Sequence, residues 1–387
     1  MTALTLVAAI GLAAWLYLLA FNGGFWLSSE REEAEQNKFP EPKHWPRVTA
    51  VIPARNEADM LPAALTSLVE QDYPGEFSVV LVDDQSTDGT ADIARAIAAG
   101  SNRNVTVVSG APLPPRWTGK VWAMHQGIAT ASSADAPPDY LLLTDADIGY
   151  SAGVLKSLVV SSAANGRAMT SVMAKLKCDS LAERWLVPAF IFFFEMLYPF
   201  RRVNRRTNRT AAAAGGCMLV DRTALERAGG IGAIRGALID DCALGKLLKT
   251  QGPIWLGLSD RVLSIRPYEA FQDIRRMVAR SAYAQLRYSP VLLVGTVLAM
   301  LVIYVAPPAL AVFAGYPANI LGAATYLLMF IAYQPTLRFY NRSAIWGFAL
   351  PLIAMAYVGF TLDSAYQHVR GRGGLWKGRV QAEVGRQ

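Results

Sequence analysis

The sequence predicts an α/β protein, a mostly parallel sheet flanked by helices, joined to apolar helices that belong in a membrane. Two observations carry this. Short β-branched and apolar runs alternate with helical stretches from Arg47 to about Tyr268, the rhythm that builds parallel sheets. Hydrophobic residues make up 53% of the 387 and charged ones 17%, against about 25% in soluble domains, and the apolar excess lies in blocks.

The first block is Ala3 to Phe21, which carries no charge. As a helix it would span roughly 28 Å, about one hydrocarbon core. A cleaved signal peptide is the other reading, but nothing basic precedes the run and no small-x-small site follows it closely, so an uncleaved anchor over residues 1–28 is expected. Glu30 to Pro46 is polar and holds Pro40, Pro42 and Pro46, which reads as a linker.

From Arg47 onward the expected elements are a strand over 48–52, a helix from about Met60, a strand over 79–82, a helix from about Thr90, and strands over 105–108 and 140–144. Their apolar runs are continuous rather than alternating, as strands covered on both faces require. Trp185 to Phe200 is aromatic, interrupted by Pro188 and Pro199 and followed by five arginines between Arg201 and Arg209. Two readings stand: an interfacial helix with a basic flank, or a buried core helix with a solvated loop.

Beyond Ser289 three apolar runs, 291–313, 320–333 and 345–362, predict two or three spans. The uncharged link 314–319 suits the outer side, and Arg338 and Arg342 the cytoplasmic side. Three spans would then put the basic tail outside, against the positive-inside tendency; either the last run is re-entrant or the tail breaks the rule. The expected organisation is an anchor over 1–28, an α/β domain over 47–290 carrying the 185–200 helix, a membrane region over 291–365, and a basic tail over 366–387.

The formal charge of +7 suits a surface lying against anionic lipid. A nucleic-acid partner is not expected, since zinc-ligand spacing and an aromatic-basic sheet motif are both missing. The three cysteines, Cys178, Cys217 and Cys242, have neither disulfide-framework nor metal spacing. No Gly-x-Ser-x-Gly elbow and no Rossmann glycine fingerprint occurs, which argues against a serine hydrolase and a nicotinamide enzyme.

Acidic and polar residues recur where predicted strands end, the place where open sheets hold ligands. Ile52-Pro53-Ala54-Arg55-Asn56-Glu57 closes the first strand, and Val82-Asp83-Asp84-Gln85-Ser86-Thr87-Asp88-Gly89-Thr90 closes the second, with Asp88 also placed to cap the next helix. Asp145-Ala146-Asp147 offers two hard carboxylates that suit Mg2+ or Mn2+ bound together with phosphate oxygens. Asp240-Asp241 follows a glycine-rich turn; a carboxylate there facing a hydroxyl is a general-base candidate. Each pair alone is compatible with a helix cap or a surface charge.

Taken in order, and with Gly215-Gly216-Cys217-Met218-Leu219-Val220 between the last two, these runs resemble the family 2 glycosyltransferases over roughly 47–290. The resemblance implies the GT-A fold, a nucleotide-diphosphate sugar donor (a UDP-sugar foremost), a divalent metal, and inversion at the anomeric carbon. It would place Pro53, Arg55, Glu57 and Asp84 around the base and ribose, Asp145 and Asp147 at the metal and diphosphate, and Asp241 as general base. The segment from Arg116 to Gly127, with Trp117-Thr118-Gly119-Lys120 at its head, and the tail Trp376-Lys377-Gly378-Arg379 resemble the lipid-directed, hopene-associated branch. That likeness would bring Lys120 to the donor phosphates, a surface lysine being the other reading.

One stretch departs from the pattern. Where polymer-making and ceramide-type members carry Gln/Arg-x-x-Arg-Trp, this chain reads Arg275-Arg276-Met277-Val278-Ala279-Arg280-Ser281. Arg280 could still meet a donor phosphate, but the tryptophan is missing, which argues against a processive synthase. The expectation is therefore a multi-pass enzyme of the inner membrane with a cytoplasmic catalytic domain, transferring one sugar to a lipid acceptor such as a hopanoid or polyisoprenoid. The rivals are a processive synthase and a non-catalytic membrane scaffold.

Overall fold

The structure, a computed structural model, describes residues 2–35, 38–376 and 379–380. Lys377, Gly378 and the end of the expected basic tail, 381–387, lie outside the described residues. The chain forms two compact units. One comprises Glu30–Lys177, Arg202–Pro267 and Leu375–Gln387; the other comprises Met1–Ser29, Cys178–Arg201 and Tyr268–Gly374.

The first unit is built on an eight-stranded sheet: β1 (Val48–Ala54), β2 (Phe77–Asp83), β3 (Asn104–Ser109), β4 (Tyr140–Thr144), β5 (Ile148–Tyr150), β6 (Met169–Lys175), β7 (Cys217–Asp221) and β8 (Ile254–Ser264). Their order across the sheet is β3-β2-β1-β4-β7-β6-β8-β5. β3, β2, β1 and β4 run parallel, as the strand-helix rhythm requires. β7 is antiparallel to both β4 and β6, and β5 to β8, so the sheet is mixed rather than almost wholly parallel.

Burial follows position. Every residue of β1 and β4 is buried, whereas β3 at the sheet edge alternates toward solvent. Val48, Ile52, Leu65, Leu81, Leu142 and Val172 belong to one core cluster between the sheet and its helices. On the other face the helix Gly119–Ser132 lies close enough that a Cβ on Gly127 would sit 2.5 Å from Val51 Cγ1 and 3.1 Å from Val82 Cγ2. A glycine is needed there for the helix to meet two parallel strands whose ends carry the acidic motifs.

The second unit contains four helices long and apolar enough to cross a membrane: Ala3–Phe21, Pro290–Phe313, Ala318–Phe339 and Ala344–Val369. The second of these loosens into a π turn over Leu301–Val305, just before Pro307, and the Trp15 indole N–H donates to the Ile303 carbonyl at 2.7 Å. An interrupted helix in an apolar setting needs such a donor for a freed carbonyl. Trp15 also meets Tyr304 edge to face.

The helix Leu181–Leu197 opens on a capping box between Ser180 and Glu183 and carries Pro188 inside. Leu186, Val187, Ile191 and Phe192 are fully buried, and Phe192 and Phe193 pack edge-on against Tyr333 and Tyr304. The helix packs this aromatic face within the apolar unit. The sequence reading joined residues 47–290 in one domain; here 178–201 and 268–290 cluster with the apolar helices instead. Aromatic packing between residues far apart in the chain makes that division, and no local pattern announces it.

Gly127→Val should cost about 1–3 kcal/mol through overpacking against Val51 and Val82. A lower unfolding midpoint of the detergent-purified protein checks this, with Gly100→Ala, where no atom lies within 4 Å of the added carbon, as the mild control.

Candidate active site

Parallel pairing sets Ala54 beside Asp83 and Val51 beside Leu143, so the carboxyl ends of β1, β2 and β4 open at one edge of the sheet. Open sheets hold ligands at that edge. Pro53 is buried within β1, opposite Val82. Arg55, just past the strand, donates from Nη1 to the Asp84 carbonyl at 2.5 Å and to that of Gln85 at 3.3 Å, and lies 3.9 Å from an Asp84 carboxylate oxygen. Asp84 is fully buried, and its N–H donates to Ala54 O at 2.8 Å.

The polar residues after Asp84 mostly stitch the two loops together. Asn56, in the left-handed region at φ +51°, donates its N–H to Ser86 Oγ at 2.9 Å and accepts from Thr87 N–H at 2.9 Å. The helix Thr90–Gly100 takes Gly89, at φ +88°, as its N-cap rather than the expected Asp88; Asp88, one residue earlier, accepts from Thr90 N–H at 3.1 Å and from Ala58 N–H at 3.0 Å and so ties the two loops together. Glu57 N–H donates to Thr90 Oγ1 at 2.8 Å.

A second group forms around the end of β4. The Lys120 Nζ sits 2.7 Å from Asp145 Oδ1 and 3.4 Å from Asp240 Oδ2. Burial would pull its ammonium down, but Asp145, Asp240 and Asp241 outweigh burial and hold it well above the usual lysine range, so it stays charged. Asp145 is pushed up by burial against the pull of Lys120, with Asp147 and Asp240 adding to the rise. Lys120 is thus no surface lysine, and the groups it touches here are carboxylates.

Asp240 and Asp241 form the first turn of the helix Asp240–Leu248. Asp241 accepts from Cys242 N–H at 2.7 Å through one oxygen and from Gly215 N–H at 3.0 Å through the other. Burial, then Asp240, push its carboxyl up to about 6 against the opposing effects of Lys120 and the two amides. A Cβ on Gly215 would lie 3.2 Å from Lys120 Nζ and 3.4 Å from Asp241 Oδ2, so this glycine lets the turn close over both. Gly216 in turn gives its carbonyl to Thr144 Oγ1 at 2.9 Å, which ties the turn to β4.

Arg266 was not singled out from the sequence. It follows β8, whose next residue, Ile265, donates its N–H to Asp147 O at 2.9 Å. Arg266 Nε reaches Asp147 Oδ2 at 2.6 Å while its other end pairs with Glu57. One guanidinium therefore joins the β1 and β4 ends. The only sequence signal was a cation directly after a long strand and before Pro267. Arg280 caps the helix Phe271–Ala279 in the other unit, where Arg275 is paired with Asp363 at 3.0 Å.

With this geometry in view, the glycosyl transferase family 2 profile matches residues 49–229. This stretch is a family 2 glycosyltransferase domain. It holds Arg55, Glu57, Asp84, Lys120, Asp145 and Asp147, and ends before Asp241 and Arg266. The chain is similar to a 4,4'-diaponeurosporenoate glycosyltransferase of Staphylococcus haemolyticus, 32% identical over 142 residues, or 36% of this chain and 33% of that protein. A protein of the same name from Staphylococcus aureus is 34% identical over 103 residues, 27% of this chain and 24% of its own. The aligned stretches thus span a third or less of those relatives. Among solved structures, a mannosyltransferase from Pyrobaculum calidifontis in complex with GDP-Man and Mn2+ superposes over 93% of this chain and 99% of its own, with a TM-score of 0.57 at 20% identity. The family 2 domain has the GT-A-like fold, a mixed sheet with flanking helices.

Arg266→Met leaves the Asp147 and Glu57 carboxylates without their shared charged donor. The loss expected is about 1.5–3 kcal/mol, the worth of a hydrogen bond to a charged group. Thermal unfolding of Arg266→Met, of Glu57→Gln and of the double variant checks it: the double variant should lose less than the sum of the two.

Proposed function

We propose that the protein is an inverting glycosyltransferase that moves a single sugar from a nucleotide-diphosphate sugar, foremost a UDP-sugar, to a hydroxyl of a membrane lipid. The observation that carries this is the arrangement at the sheet edge: Asp145 and Asp147 past β4, and the Asp241 carboxylate fixed by two backbone amides beside them. The relatives named for glycosyl transfer to diaponeurosporenoate support the reaction class, and the apolar helices support a lipid acceptor, for which a hopanoid or polyisoprenoid is the proposal.

A divalent cation fits the residues present. Five carboxylates, those of Glu57, Asp145, Asp147, Asp240 and Asp241, face two cations, Lys120 and Arg266. Burial first, and then Asp147 and Asp240, push Asp145 up against the pull of Lys120. Asp145 and Asp147 would hold the ion with hard oxygens, as Mg2+ and Mn2+ prefer. Among the described residues no three acidic, His or Cys side chains form a ready cage, so donor phosphates and water would complete the shell, as is usual for Mg2+. When bound, the metal supplies charge neutralisation for the departing nucleoside diphosphate.

The remaining roles fall to the chain. Arg55 and Asp84 shape the end of β2, where the base and ribose are proposed to bind with Pro53 and Glu57. Lys120 carries a permanent positive charge from the start of its helix to the diphosphate side of the cluster. Asp241 takes the proton of the acceptor hydroxyl while that oxygen bonds to the anomeric carbon. The bond from that carbon to the phosphate oxygen breaks, and its electron pair leaves with the diphosphate. Attack and departure on opposite faces invert the centre. Arg280 is a proposed further phosphate contact. The catalytic unit is proposed to face the cytoplasm, at the inner membrane.

Asp241→Asn should retain donor binding and lose about 10² to 10⁴ in transfer rate, the usual range for a general base. Asp147→Asn should lose Mn2+-dependent donor binding; equal donor affinity by calorimetry in the variant and the parent would refute the metal assignment. A base works only when ionised, and Asp241 sits at about 6. Transfer should therefore rise with pH through about 6 and level off above it, and the pH–rate profile of Asp241→Asn should lack that limb.

A further inference from the structure

The last apolar helix, Ala344–Val369, is long enough to span a bilayer, yet its contacts within the apolar unit describe a path that turns back. Depth along this unit can be read from the helices beside it. Ala8, Leu310 and Ala318 pack in one cluster, so the end of the second apolar helix and the start of the third lie at one level, next to the chain's first turns. Trp15 and Ile303 meet midway. Pro290 and Phe339 therefore lie toward the opposite level from Ala318.

After Phe339 the chain climbs back along the helix it has just left. The Ala344 carbonyl accepts from Gln334 Nε2 at 3.3 Å, and the Phe348 carbonyl accepts from Tyr326 Oη at 2.7 Å, with the Phe330 and Phe348 rings 4.4 Å apart. At 1.5 Å per residue Tyr326 stands about 20 Å of helix above Phe339. Leu350–Val369 then packs against Leu301–Val305 and Pro290–Met300, and its last turns return to the level of Pro290. Ser364 Oγ accepts from Tyr283 N–H at 3.0 Å, Asp363 pairs with Arg275 at 3.0 Å, and the His368 ring stacks on Tyr288 at 4.3 Å.

We propose that residues 344–369 form a re-entrant element, rising from one membrane face to about the middle of a core roughly 30 Å thick and returning to the same face. Its partner is the acyl-chain layer of that one leaflet. Ile345, Phe348, Leu352, Met355, Leu362 and Val369 are exposed by 46–83% at helical spacing, an uncharged stripe for lipid along the whole element. Charge agrees. Arg287 before Pro290, Arg338 in the last turn of the third helix, Arg342 after it, and Arg370 and Arg372 after the last helix then all lie on one side, and the uncharged link 314–317 on the other. Of the two alternatives left open by the sequence, a re-entrant run or a tail that breaks the positive-inside rule, the proposal takes the first. This rests on the membrane reading of the unit and is independent of the chemistry proposed above.

The test is sidedness in sealed membrane vesicles of the full-length chain, using a membrane-impermeant maleimide. Single replacements Gly315→Cys, Arg342→Cys and Arg372→Cys are read against the parent's own cysteines, with detergent opening to show that each site reacts; a side chain on Gly315 meets nothing within 4 Å. Positions 342 and 372 should label from one side and 315 from the other. Labelling of 372 together with 315 would overturn the proposal and make the helix a full span. Release of the protein from vesicles by carbonate would instead overturn the membrane reading beneath it.

Discussion

The buried ammonium of Lys120 is what allows the acidic edge of the sheet to exist. Asp145 comes from a strand end and Asp240 and Asp241 from the first turn of a distant helix, and bringing them together without a cation would set like charges against one another in a poorly solvated place. Lys120 reaches Asp145 and Asp240 at once from the first turn of Gly119–Ser132, a helix that lies against β1 and β2, which Gly127 permits. Gly215 leaves room for its Nζ and donates to Asp241 in the same place. Packing, backbone and charge thus meet at one side chain.

Arg266 does the corresponding work on the other side of β4. Lys120 is a point charge on a flexible stem, suited to a cluster drawn from a strand end and a helix turn; Arg266 is a planar fork, suited to bridging Asp147 and Glu57. Both cations occupy carboxylates that the proposed metal and donor would also address. Under the proposed function, donor phosphates would meet positive charge already in place, and the carboxylates they displaced from Lys120 and Arg266 would be available to a divalent ion. The ion pairs and the proposed ligands are alternative ways of balancing the same charge.

How much of this could be read beforehand depended on how local each feature is. β1, β2, β3 and β4 were legible because each is a short apolar run stopped by polar residues, and the acids after β1, β2 and β4 were legible because parallel pairing puts consecutive strand ends on one edge. β5, β6 and β8 were not read, and the reversal of β7 that makes the sheet mixed depends on which strand finds which neighbour. Arg266 carried no motif, and the partners of Lys120 come from two separate later segments, the end of β4 and the helix that starts at Asp240. The division of the chain into units was hidden for the same reason: Phe192, Phe193, Tyr304 and Tyr333 find one another through packing alone.

Asp240 and Asp241 are adjacent in the chain and sit in different surroundings. Asp240 faces Lys120, with Oδ2 3.4 Å from its Nζ. Asp241 accepts two backbone amides, which favour ionisation, yet burial and its charged neighbour push it up to about 6. A carboxylate poised there is more basic than an ordinary aspartate and still ionised at neutral pH, the compromise a general base needs. Were Asp241 the residue paired to Lys120, its proton affinity would fall and its oxygens would point into the cluster. Asp240 takes that place and so leaves its neighbour both basic and unpaired with a cation.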